Sequence, residues 1–86
     1  MKSCNEWIFT FGCGQQYAGH YVRLTGDYET AREKMFFLFG EDWCLQYSPD
    51  VWAKTEKRLG NRAETEMPLT DVHMAKLAEW EKMHSV

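Results

Sequence analysis

The feature that most limits what this chain can become is a pair of alternating apolar runs on either side of a glycine-rich stretch. Residues Glu6 to Gly12 put Trp7, Phe9 and Phe11 on one side of an extended backbone and Ile8 and Thr10 on the other. Aromatic and β-branched residues at period two form strands. His20 to Thr25 alternates again, setting His20, Val22 and Leu24 against Tyr21, Arg23 and Thr25. Between the runs, Cys13 to Gly19 holds two glycines and follows a third, Gly12, which is the composition of a tight connection. The pattern predicts an antiparallel hairpin, and every later element must find a place on one of its two faces.

Asp27 can cap a helix in which Tyr28, Ala31, Met35, Leu38 and Phe39 form one apolar stripe, with Gly40 at its end. Trp43 to Tyr47 alternates once more, with Trp43, Leu45 and Tyr47 opposite Cys44 and Gln46, and predicts a third strand. Ser48, Pro49 and Asp50 are a helix start, and that helix runs to about Leu59 before Gly60. Asn61 to Pro68 has no period. Thr70 or Asp71 can cap a last helix whose narrow stripe predicts shallow docking or packing on another subunit.

The expected architecture is therefore a single α+β domain over residues 1–86. It comprises a ββαβ core at 6–48, a second helix at 49–60, a loop or extended arm at 61–69 and a C-terminal helix at 70–84. A chain of 86 residues has room for one core, burying roughly 60% of its unfolded surface. A right-handed crossover puts the third strand beside the first, giving a three-stranded antiparallel sheet in the order 2-1-3 with the first helix across one face.

The alternations then assign the two faces. Phe9, Phe11, Val22, Leu24, Leu45 and Tyr47 should meet the helix stripe. Ile8, Thr10, Gly12, Tyr21, Arg23, Cys44, Gln46 and Ser48 should line the other side. Most of that second set can donate or accept hydrogen bonds. Arg23, framed by Thr10, Tyr21 and Gln46, suits a phosphate or carboxylate. Gly12, Cys13, Gly14 and Gln15 could bring backbone N–H groups close to an anion, and Tyr17, Tyr21 or Trp43 could stack on a base. The competing reading is structural: such a face carries polar groups for solubility, or the second or third helix covers it. The run G-C-G-Q-Q lacks the Lys and Ser/Thr of a Walker loop and the third spaced glycine of a dinucleotide fingerprint. Phe37, off the first helix's stripe, and Trp52 are candidate contacts for a protein partner.

Other functions are disfavoured by what the chain contains. A formal charge of −3, from 13 acids and 10 bases, argues against duplex nucleic acid. The longest apolar run, Met35 to Phe39, is far short of a membrane span, and Met1 to Glu6 lacks the features of a secretory signal, which predicts a cytoplasmic protein. Cys4, Cys13 and Cys44 cannot all pair, and Cys4 and Cys44 read as bland thiols. His20, His73 and His84 are too widely spaced to suggest a metal site. Cys13 and His20 lack a third group to make a nucleophile and base. Neither catalytic residues nor a cofactor are expected.

The runs W-I-F-T-F-G-C-G-Q, Y-E-T-A-R-E-K-M-F and F-G-E-D-W-C-L-Q-Y-S, within residues 7–48, resemble a family of small bacteriophage and prophage proteins. The resemblance implies an accessory, counter-defence protein in the cytoplasm of a host bacterial cell. Two mechanisms fit it: a homo-oligomer that sequesters a small nucleotide-derived signal, or an inhibitor that binds a host defence nuclease or polymerase in the manner of an anti-CRISPR protein. A phage structural or replication accessory is a third expectation.

Overall fold

The hairpin forms where the alternation places it. In a computed structural model, which describes residues 5–12, 14–60 and 65–84, β1 (Glu6–Thr10) pairs antiparallel with β2 (His20–Thr25), from Glu6 opposite Thr25 to Thr10 opposite Tyr21. Gly26 then turns the chain into α1 (Tyr28–Phe39) at φ +118°, where a Cβ would lie 2.8 Å from the Thr30 methyl group. Glycine is the residue that both the backbone and the space accept there. The Asp27 carboxylate accepts the Thr30 N–H at 2.8 Å and closes the first turn, and Gly40 ends the helix by donating its N–H to Phe36.

β3 (Gln46–Tyr47) runs antiparallel on the free side of β1, and α2 (Pro49–Leu59) begins at once behind the Ser48 cap. β4 (Thr65–Glu66) lies parallel to β2, and α3 (Asp71–His84) follows. The sheet is thus mixed and four-stranded, in the order β3-β1-β2-β4. The expected 2-1-3 neighbours are present, and part of the presumed arm at 61–69 supplies a parallel strand that no alternation announced. Among the described residues, no helix is long and apolar enough to cross a membrane. Cys4 and Cys13 lie outside the described residues, and the Cys44 thiol is free and exposed.

One face of the sheet, with α1 behind it, carries Phe9, Phe11, Val22, Leu24, Ala31, Met35, Leu38 and Trp43 as one buried cluster. Two members of the expected core are elsewhere: Leu45 is exposed, and Tyr47 lies on the opposite side of the sheet. The cause is a β-bulge arrangement just before β3. The Thr10 carbonyl accepts the Cys44 N–H at 2.8 Å, while the Thr10 N–H donates to Leu45 at 2.9 Å, so two residues oppose one. The alternation slips by one residue there. Trp43 stays on the α1 side, edge-on to Phe9 at 5.2 Å; Gln46 follows it to that side, and Tyr47 turns to the other.

That other face is not open. Ile8, Tyr21 and Trp52 form a second buried cluster beneath α2, with Tyr47 packed against it. Thr10 is buried as well. The structural alternative raised by the sequence, coverage by a later helix, is therefore what this region adopts. Trp52, expected as an exposed contact, is the residue that holds α2 to the sheet. Phe37 is half-buried, and the outward aromatics of α1 are instead Phe36 and Tyr28. The buried stripe of α1 includes Lys34 and leaves Tyr28 exposed, so the helix is rotated from the orientation its apolar residues alone suggest.

Candidate functional site

The glycine connection is self-contained. The N–H groups of Gln15, Ala18 and His20 donate to the carbonyls of Gly12, Gln15 and Tyr17 at 3.0, 3.2 and 3.1 Å. Gln16 donates its N–H to the Asp42 carboxylate at 3.0 Å. The Gln15 side chain bridges two segments, its Oε1 accepting the Gly12 N–H and its Nε2 donating to the Trp43 carbonyl at 2.9 Å. These amides already have partners among the described residues and are not free to hold an anion. Gly14, exposed at φ +91°, serves the turn. Tyr17 packs its ring on Phe11 and Phe39 at 5.4 and 5.6 Å.

The remaining sequence candidates are likewise occupied. Tyr21 packs on Trp52 with ring centres 4.9 Å apart, and Trp43 is buried with its indole N–H donated to Gly40 at 3.0 Å. Gln46 donates to the Tyr28 carbonyl at 3.0 Å, tying β3 to α1. Arg23 is gripped by two carboxylates, Glu6 at 2.9 Å and Glu66 at 3.0 Å. Glu66 and then Glu6 raise its pKa above the already high arginine value, so its charge is fixed but offset twice over. Of its expected neighbours Tyr21 is beside it, the guanidinium carbon 5.8 Å from the ring centre, while Thr10 is buried and Gln46 turns to α1.

A different group meets the physical requirements of a site. Between the C-terminal end of β2, α1 and α3 lies a cavity of about 350 Å³, lined by Arg23, Leu24, Thr25, Lys34, Leu69, Met74, Leu77, Ala78 and Glu81. Its volume falls within the range of small-ligand pockets. Lys34 on its wall is only 7% exposed. The ammonium donates to the Thr25 carbonyl at 3.0 Å and the Thr25 hydroxyl at 3.3 Å, and sits 5.3 Å from the centre of the Trp80 ring. None of the ion pairs among the described residues includes it. Two neutral acceptors and a ring face soften the burial of a charge but do not neutralise it.

α3 forms one side of this cavity, and its seating depends on His73. The Thr70 hydroxyl accepts the His73 N–H at 3.3 Å, and the Thr70 N–H donates to His73 Nδ1 at 3.2 Å, a reciprocal cap with imidazole in the place usually taken by a carboxylate. The ring also packs on Phe39 at 4.9 Å, and burial, helped by Lys76, lowers its pKa.

A second surface cluster lies beside β3. The Arg32 guanidinium lies 5.3 Å from the centre of the exposed Phe36 ring and 5.0 Å from that of Trp43. Neither Lys34 nor Arg32 stands out from the sequence alone. The signal for Lys34 was positional: it lies three residues after Ala31 and four before Leu38, inside the stripe rather than beside it. No family model, curated protein or solved structure matches the chain.

Proposed function

We propose that this domain is a non-catalytic binding module that captures a small anionic molecule in the cavity between β2, α1 and α3. The observation that carries the reading is Lys34, a buried ammonium on a cavity wall with no carboxylate paired to it among the described residues. An anion in the cavity would give the Lys34 ammonium a charged partner that no ion pair among the described residues supplies. The phage resemblance supplies a setting, a counter-defence accessory that withholds a signal from its receptor. It makes a nucleotide-derived molecule one of the anions to test.

A second reading, inhibition of a host defence protein, draws on the exposed Phe36 stacked with Arg32, since aromatic and arginine side chains are common interface anchors. Native mass spectrometry on protein purified gently from its expressing cells separates the two. A small retained mass in the wild-type chain that Lys34→Met loses is the result expected for ligand capture. A bare chain from several expression hosts, with or without Lys34, would remove that reading and leave the Phe36 surface as the place to look.

A further inference from the structure

We infer that the cavity's occupant is an aliphatic monoanion, an alkyl carboxylate, rather than a nucleotide; this rests on the cavity being a ligand site. Two properties of the walls decide the chemistry. The first is charge. Lys34 is the one cation on the wall that lacks a carboxylate partner among the described residues, because Arg23 is already held by Glu6 and Glu66. Glu81 adds a negative charge to the same lining. A phosphate-rich ligand would bring several charges to one free cation and meet a carboxylate beside it. A single carboxylate matches what is there.

The second property is the apolar lining. Leu24, Leu69, Met74, Leu77 and Ala78 are all aliphatic, and no aromatic ring lines the cavity. A nucleobase would find nothing to stack on, and its edge donors and acceptors would face methyl and methylene groups. An alkyl chain loses nothing by that contact and gains from every methylene withdrawn from water. The geometry thus places an anionic head at Lys34, beside Thr25, with the chain running along Leu24, Leu69 and Leu77 under α3.

The test is titration calorimetry of the full chain with butanoate, octanoate and dodecanoate, alongside adenosine monophosphate. Affinity should rise roughly fourfold per added methylene until the cavity is full. Lys34→Met, which keeps the apolar stem, should weaken octanoate by roughly ten- to a hundredfold. Ala78→Phe, placed on the exposed side of α3 where Ala78 meets the cavity, should abolish binding while circular dichroism stays that of the wild type, so a folding defect in Lys34→Met cannot hide the answer. Binding of adenosine monophosphate but not octanoate, lost in Lys34→Met, would overturn the aliphatic assignment and leave ligand capture standing. If neither carboxylate nor nucleotide binds, both fall.

Discussion

The two faces of the sheet are held in opposite ways. On the α1 side, Phe9, Phe11, Val22 and Leu24 meet Ala31, Met35, Leu38 and Trp43, so no single contact carries the packing. On the α2 side, Ile8 and Tyr21 meet one side chain of the helix, Trp52, while Val51, Ala53, Lys54, Lys57 and Arg58 are exposed. Yet α2 has strong local signals: a Ser48 cap, Pro49 in its first turn, Lys57 and Arg58 in its last, and Gly60 as its stop. Local signals make a helix begin and end, but they do not dock it. Docking scales with apolar area removed from water, and here it rests on one indole.

The sharpest way to break this comparison is to cut each face at its centre. Phe9→Ala should cost about 3–5 kcal/mol and lower the urea midpoint of the whole molecule. Trp52→Ala should sit at the low end of that range, about 3 kcal/mol. Its signature is local: hydrogen exchange should accelerate in α2 while α1 and β1 stay protected. Uniform acceleration across both faces would mean that they unfold as one unit. Smaller again is Trp52→Phe. The Trp52 indole N–H is buried without a hydrogen-bond partner among the described residues. Losing it removes a penalty of about 1–3 kcal/mol, set against the lost ring area, so Trp52→Phe should lie within about 1 kcal/mol of wild type. A loss as large as that of Trp52→Ala would show that the N–H has a partner after all.

The smallest effect belongs to pH. His73 is held neutral when folded because burial lowers its pKa, whereas the unfolded chain takes up a proton near the ordinary value of 6.5. Stability is therefore fully present above that value and declines as pH falls below it, until His73 protonates in the folded state too. The groups facing the ring are Tyr17 and Phe39 from other elements and Thr70 and Lys76 from its own end of α3, and none is an acid. Thermal midpoints from pH 8 to 5 should show this slope in the wild type and a shallower one in His73→Gln.

Much of the fold can be read in the sequence because its signals are local. The hairpin, the Asp27 and Ser48 caps and the stops at Gly40 and Gly60 all follow from period or turn chemistry within a few residues, and the place of β3 beside β1 follows from the handedness of the crossover. What escaped depends on partners far along the chain. The bulge opposite Thr10 exists only once two strands meet. β4 is two residues long, too short to show a period. Arg23 looked free because Glu6 and Glu66, distant in sequence, are brought to it by β1 and β4. Lys34 looked solvated because lysine is usually outside, and only its place within the stripe argued otherwise. Trp52 looked available because α2, taken alone, has no visible neighbour.

The bulge before β3 has a consequence for chain length. Tyr47 lies four positions after Trp43, so a regular strand would send both to one side. The extra residue shifts the phase between them, and a short edge segment thereby gives one large aromatic to each of the molecule's two cores. In that stretch, spacing matters more than side-chain identity. The exposed Leu45 could be exchanged for many residues at little cost, but inserting one more residue beside it would direct Trp43 or Tyr47 to the wrong layer.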